Sequence, residues 1–164
     1  MALQRQLRLL DAKGTAAVAS LTAKPLRIAF ATSDLKHVNQ HFGSAERFVI
    51  YAVEPDRLTL LEVAEFGRLR EDGNENKLLE KFVVLDGCAA VYCQAVGGSA
   101  VRQLLQLGVQ PLKVPEGMGI SVLLRQLQDE LRSGPAGWLA RAWANTQEKD
   151  AARFDAMEAE GWSE

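Results

Sequence analysis

With 164 residues, 48% of them hydrophobic and 24% charged, the chain is long enough to bury one sizeable core without a disulfide or structural metal. A net charge of −2 excludes nucleic acid as the principal partner, because neutralising a phosphate backbone takes a basic face. Two cysteines, and no run near the ~18–20 apolar residues of a membrane span, point to a cytoplasmic protein with free thiols, no membrane contact and no need to be more than a monomer.

Taken in order, residues 1–24 carry Arg5, Arg8, Lys13 and Lys24 against Asp11 alone, then run into GTAAVASLTA. Leucines interrupted by Arg and Gln make no signal segment, so this reads as a flexible arm. A folded α/β domain is expected over residues 25–146. Leu26–Thr32 (LRIAFAT) suits a buried central strand, Ser33–Gln40 a polar loop, and His41-Phe42-Gly43 follows. RFVIYAV (47–53) is a second strand. Glu54-Pro55-Asp56-Arg57 is a turn, and Leu58–Phe66 returns as the other arm of an antiparallel hairpin.

Glu71–Asn74 breaks the chain, and Glu75–Leu85 reads as a helix with Leu78, Leu79, Phe82 and Val83 as its buried stripe. Cys88–Cys93 is the next strand, followed by the Gly97-Gly98 turn and a helix packing Val101, Leu104 and Leu105. Val109–Val114 is a fifth strand, placed at an edge by Pro111. Gly119–Leu131 aligns Ile120, Leu123, Leu124, Leu127 and Leu131 on one helical face, and Ser133-Gly134-Pro135 ends it. Trp138, Leu139, Ala142 and Trp143 suggest a last helix. Residues 147–164 form an acidic tail with sticky points at Phe154, Met157 and Trp162, either solvated or docking on a partner.

The order β-β-β-α-β-α-β-α gives a three-layer α/β architecture around a mixed five-stranded sheet, with strand one central and strand four beside it. Their C-terminal ends then flank a topological switch point, where open sheets build ligand sites. That would bring His41 and Cys93 to one crevice. Neutral imidazole is a good metal ligand, though a loop histidine is also a common solvated or capping group. His37 and His41 form H-x3-H, without a helix signal between them. Cys88 and Cys93 are five apart, so strand alternation points them to opposite faces. Cys88 reads as packing or ligand, and Cys93, close to a helix start, as the position where a thiolate is favoured. Gly97-Gly98-Ser99 is either a tight turn or an anion cradle at a helix N-terminus. No GxGxxG or P-loop is present, and no carboxylates or Ser/His/Asp spacing mark a catalytic centre.

RIAFATSD, NQHFGSAERFVIYAV, EFGRLREDGNENKL, LDGCAAVYCQAVGGSAVRQLL and the terminal RFDAMEAEGW together resemble the nitrogenase iron–molybdenum cofactor biosynthesis family (the NifX, NifB C-terminal and NafY-like group) over about residues 26–162. The resemblance implies a ribonuclease-H-like topology and no catalysis. It further implies transient binding of an iron–sulfur precursor of NifB-cofactor type and its transfer between NifB and NifEN. The cluster would rest near His41, with Cys93 or Cys88 as thiol ligands. A resident four-iron cluster usually takes about four cysteines, so two suit a passenger that brings its own sulfides. The competing readings are a ribonuclease-H-like hydrolase, which needs carboxylates at strand ends, and an interaction protein working through the acidic tail.

Overall fold

The structure is a computed structural model that describes residues 24–66 and 75–147. The expected arm and most of the acidic tail lie outside the described residues. The chain divides into a main unit, Pro25–Ala144, and a smaller one made of Met1–Lys24 with Asn145–Glu164. Within the smaller unit Lys24 and Gln147 exchange two hydrogen bonds, the Lys24 amide donating to Gln147 Oε1 (3.2 Å) and Gln147 Nε2 to the Lys24 carbonyl (2.8 Å).

In the main unit the strands are β1 (Leu26–Ala31), β2 (His37–Val38), β3 (Arg47–Glu54), β4 (Arg57–Glu65), β5 (Ala90–Cys93), β6 (Gln110–Lys113) and β7 (Met118–Gly119). The helices are α1 (Glu75–Leu85), α2 (Gly98–Gln106) and α3 (Ile120–Ser133), and residues 137–147 are helical as well. The main sheet runs β4-β3-β1-β5-β6, which is the expected ribonuclease-H-like order with β1 central and β6 at an edge. β3 pairs with β1 and β4 antiparallel, while β5 pairs with β1 and β6 parallel. Parallel central strands buried on both faces read as near-continuous apolar runs, which AVYC is throughout and LRIAFA is apart from Arg27.

Two cores sandwich the sheet. Under α1 and α2, Phe42, Phe48, Ile50, Phe82, Leu85, Val91 and Leu104 pack together. On the other face Leu26, Ile28, Phe30, Val49 and Val53 meet all five predicted residues of α3, with Leu139, Trp138, Ala142 and Trp143 of the last helix against them. Burying one such aliphatic or aromatic side chain contributes about 1.5–3 kcal/mol, so these two layers carry the fold.

Three expectations need correction. The segment 33–40 is not all loop: His37–Val38 pairs antiparallel with Met118–Gly119 in a second, two-stranded sheet. That pairing also rules out a helical H-x3-H motif. On α1 only part of the stripe is covered, since Phe82 is buried while Leu79 and Val83 are exposed; on α2 Leu104 is buried but Leu105 is exposed. Finally, Cys88 and Cys93 do not face opposite sides; both belong to the core under α1 and α2. Alternation holds only inside β5. Cys88 precedes it in a turn at Gly87 (φ +92°), where the Cys88 amide closes back on the Leu85 carbonyl (2.9 Å).

Candidate functional site

β1 and β5 are parallel neighbours whose outgoing chains diverge, one towards β3 and the other towards β6. The C-terminal ends of these two strands are therefore the switch point of the sheet. The loop leaving β1 is tightly organised. Asp34 accepts from the Thr32 hydroxyl (3.1 Å), from the amides of Lys36 and His37 (2.8 Å each) and from the His37 ring (2.8 Å). The His37 imidazole, followed by the Lys36 and His37 amides, holds the Asp34 carboxyl well below the usual carboxylate range. His37 thus serves a turn, and its partner is Asp34 rather than His41.

His41 sits on an exposed arch whose two sides are tied to the loop leaving β5. The Gln94 amide donates to the Gln40 carbonyl (3.0 Å), and the Phe42 amide donates to the Ala95 carbonyl (2.8 Å). Phe42 is buried between Phe48 and Phe82, with ring centroids 5.6 and 5.7 Å away. Below the arch Lys81, fully buried, donates from Nζ to the Gly43 carbonyl (3.2 Å) and lies 4.8 Å from the centre of the Phe66 ring. The sequence HFG therefore has a mechanical sense: Phe42 anchors, and His41 is held out to solvent.

Gly97, Gly98 and Ser99 open α2 beside this arch and are exposed. Gly97 occupies the N-cap with no side-chain cap, and the first turn holds no acidic residue, so the helix start keeps its positive end for an anion. Neither glycine has a positive φ, and a Cβ built on Gly43, Gly97 or Gly98 meets nothing within 4 Å. Internal packing and backbone strain thus leave these glycines unexplained. What they provide is bare backbone that an outside group can approach closely.

The thiols are placed otherwise. Cys93 is 0% exposed, and its sulfur is 3.9 Å from the Leu112 carbonyl within the core. Cys88 is 4% exposed. Burial pushes both thiols up to about 11, against the expectation of a favoured thiolate at Cys93. Two backbone bonds thus tie the loop of His41 to the loop that leads into Gly97, Gly98 and Ser99, while Cys93 is buried at the end of β5 and Cys88 lies before that strand begins, at its far end. Among the described residues no three His, Cys, Asp or Glu side chains converge as a metal cage.

One residue was overlooked by sequence reasoning. Gln94 Nε2 is shielded from solvent and has no hydrogen-bond partner. Its backbone is the stitch to Gln40, so a donor in want of an acceptor belongs to the loop that holds the arch. Nothing in the pattern YCQAVGG distinguishes it from a solvated glutamine.

A family model described as dinitrogenase iron-molybdenum cofactor matches residues 24–130. The chain is 54% identical over 160 residues to Protein NifX of Azotobacter vinelandii, covering 98% of this chain and 97% of that protein. It is 35% identical over 127 residues to Protein NifX of Herbaspirillum seropedicae, covering 77% and 87%. To the FeMo cofactor biosynthesis protein NifB of Frankia alni it is 31% identical over 97 residues, 56% of this chain and 19% of the larger protein. No described helix is long and apolar enough to cross a membrane. By the extent of these matches the chain belongs to the dinitrogenase iron-molybdenum cofactor family.

Proposed function

We propose that this protein is a non-catalytic carrier in iron–molybdenum cofactor biosynthesis. It takes up an anionic iron–sulfur precursor of NifB-cofactor type at the β1/β5 crevice and passes it from NifB to NifEN by direct contact. The observation that carries the reading is His41, exposed on an arch stitched at Gln94 and Ala95 to the loop that leads into the uncapped start of α2. A cluster that arrives with its own bridging sulfides needs few protein ligands. One imidazole on iron and backbone N–H donors on the anionic face would hold it and still release it. The buried cysteines support this economy, because neither reaches solvent to act as an outer ligand.

The test is anaerobic titration of the full chain with isolated precursor, followed by absorbance. Wild type should develop charge-transfer bands that saturate, and His41→Ala should weaken uptake by at least ~10-fold. A Cys93→Ala variant should bind as wild type does. Uptake that survives His41→Ala but is lost with Cys93→Ala would move the ligand into the core and overturn the proposal.

A further inference from the structure

We infer that β4 is a dimerisation strand, on which a second copy of this chain adds its own β4 antiparallel to make a continuous ten-stranded sheet. This is independent of the carrier reading and goes beyond the monomer suggested by the sequence. β4 ends the main sheet, so its outer edge pairs with no strand among the described residues. The outward-pointing N–H and C=O groups of this nine-residue strand invite another strand unless charge, proline or cover protects them. Beside its charged residues Arg57, Glu62 and Glu65, the strand also exposes Leu58 (39%), Leu60 (53%), Leu61 (46%) and Val63 (38%).

These side chains have an order that suits self-pairing. Leu58 lies opposite Val53, Leu60 opposite Tyr51 and Val63 opposite Val49, which puts all three on the α3 face of the sheet. Thr59 and Glu62 lie opposite Ala52 and Ile50, on the α1 face. A shift in register between Ile50 and Tyr51 inserts Leu61 between the two sets. About a two-fold axis between Leu60 and Leu61, Leu58 meets the second copy's Val63, Leu60 meets its Leu61, and Thr59 meets its Glu62. The pairs on either side of the axis then meet on one face each, with Leu60 against Leu61 at the centre. Arg57 falls opposite the second copy's Ala64 and diagonal to its Glu62, so this cation and anion become neighbours across the axis, while Glu65, opposite the second copy's Asp56, keeps Arg47 of its own chain as partner.

The same axis accounts for the anomaly on α1. Leu79 and Val83, four residues apart, line a groove of about 520 Å³ with Glu62, Ala64 and Phe66, and Val83 is 74% exposed. With β4 joined to β4, the two α1 helices flank the seam on one face and cover each other's Leu79 and Val83. Exposed apolar area on both flanks of one free edge marks an interaction surface. The β1/β5 crevice lies beyond β3, so both carrier sites stay open in the pair.

Sedimentation equilibrium of the full chain should give a concentration-dependent mass rising to twice that of one chain. Leu60→Lys should weaken this association by at least ~10-fold while leaving the circular dichroism spectrum unchanged. The double variant Thr59→Cys, Glu62→Cys should form a disulfide-linked dimer on mild oxidation, and it carries the test should Leu60→Lys not fold. A mass of one chain up to sub-millimolar concentration overturns the proposal. So does a dimer indifferent to Leu60→Lys, or one that the two cysteines fail to link.

Discussion

Gln94 shows how a single atom divides the needs of folding from those of binding. A shielded amide nitrogen without a partner costs about 1–3 kcal/mol, and replacing it by an apolar group of similar shape removes that cost. Gln94→Leu is therefore expected to leave stability unchanged or raise it by up to ~1 kcal/mol in urea denaturation, while weakening precursor uptake in the absorbance titration. A variant that is destabilised and binds normally would make the amide structural. The thiols lead to a pH prediction. An unfolded cysteine titrates near ~8.5, whereas Cys88 and Cys93 are pushed up to about 11 by burial. Folding raises these values, so their contribution is intact below ~8.5 and is lost as pH climbs towards about 11. The midpoint of urea unfolding should fall across that window in wild type and fall less in Cys88→Ala, Cys93→Ala. Both thiols should also resist alkylation at pH 8 until the chain is unfolded.

At the scale of elements, α2 is the helix whose start is left bare. Gly98 has ordinary backbone angles and free space around its Cα, so alanine fits without strain. Gly98→Ala should stabilise the fold by about 0.5–1 kcal/mol by restricting the unfolded chain. The same methyl group stands between an approaching anion and the amides, and uptake should fall by about tenfold, the worth of one charge-assisted hydrogen bond of ~1.5 kcal/mol. Stability by thermal melting and affinity by titration would then move in opposite directions; a shared direction would make the glycine a packing choice.

Most elements were legible in the sequence where one physical rule dominates. RFVIYAV, EPDR and LTLLEVAEF have the hairpin written in them, and the spacing of Ile120, Leu123, Leu124, Leu127 and Leu131 defines α3 and its buried face. The misses fall where that rule stops. His37–Val38 is too short to show a period, and its pairing depends on Met118–Gly119, some eighty residues away. Alternation counted from Cys88 fails because the turn at Gly87 precedes the strand. Helical spacing makes Leu79 and Val83 core candidates, but whether a stripe is covered depends on what stands opposite. His41 and the Gly97-Gly98 turn were legible as residues, whereas the two backbone bonds that join their loops were not.

Across the whole molecule, the two cores differ in what they support. The core under α1 and α2 contains Phe42 and so reaches into the arch that carries His41, while the α3 core touches the other face of the sheet. Removing a large side chain from either should cost similar stability, about 3–5 kcal/mol for Phe42→Ala and ~2–5 kcal/mol for Leu127→Ala. Domains of this size hold about 5–15 kcal/mol in all, so the comparison belongs at a temperature where both variants remain folded by circular dichroism. There Leu127→Ala should bind precursor as wild type does, because Leu127 belongs to the core that does not contain the arch's anchor Phe42. Phe42→Ala removes the anchor between Phe48 and Phe82, leaving the arch its backbone stitches, the Gln40–Glu46 hydrogen bonds and Lys81, and should weaken uptake by at least ~10-fold. Equal affinities in the two variants would mean that the arch keeps its shape without its aromatic root, and that the position of His41 is set by the bonds to Gln94 and Ala95, the Gln40–Glu46 pair and Lys81.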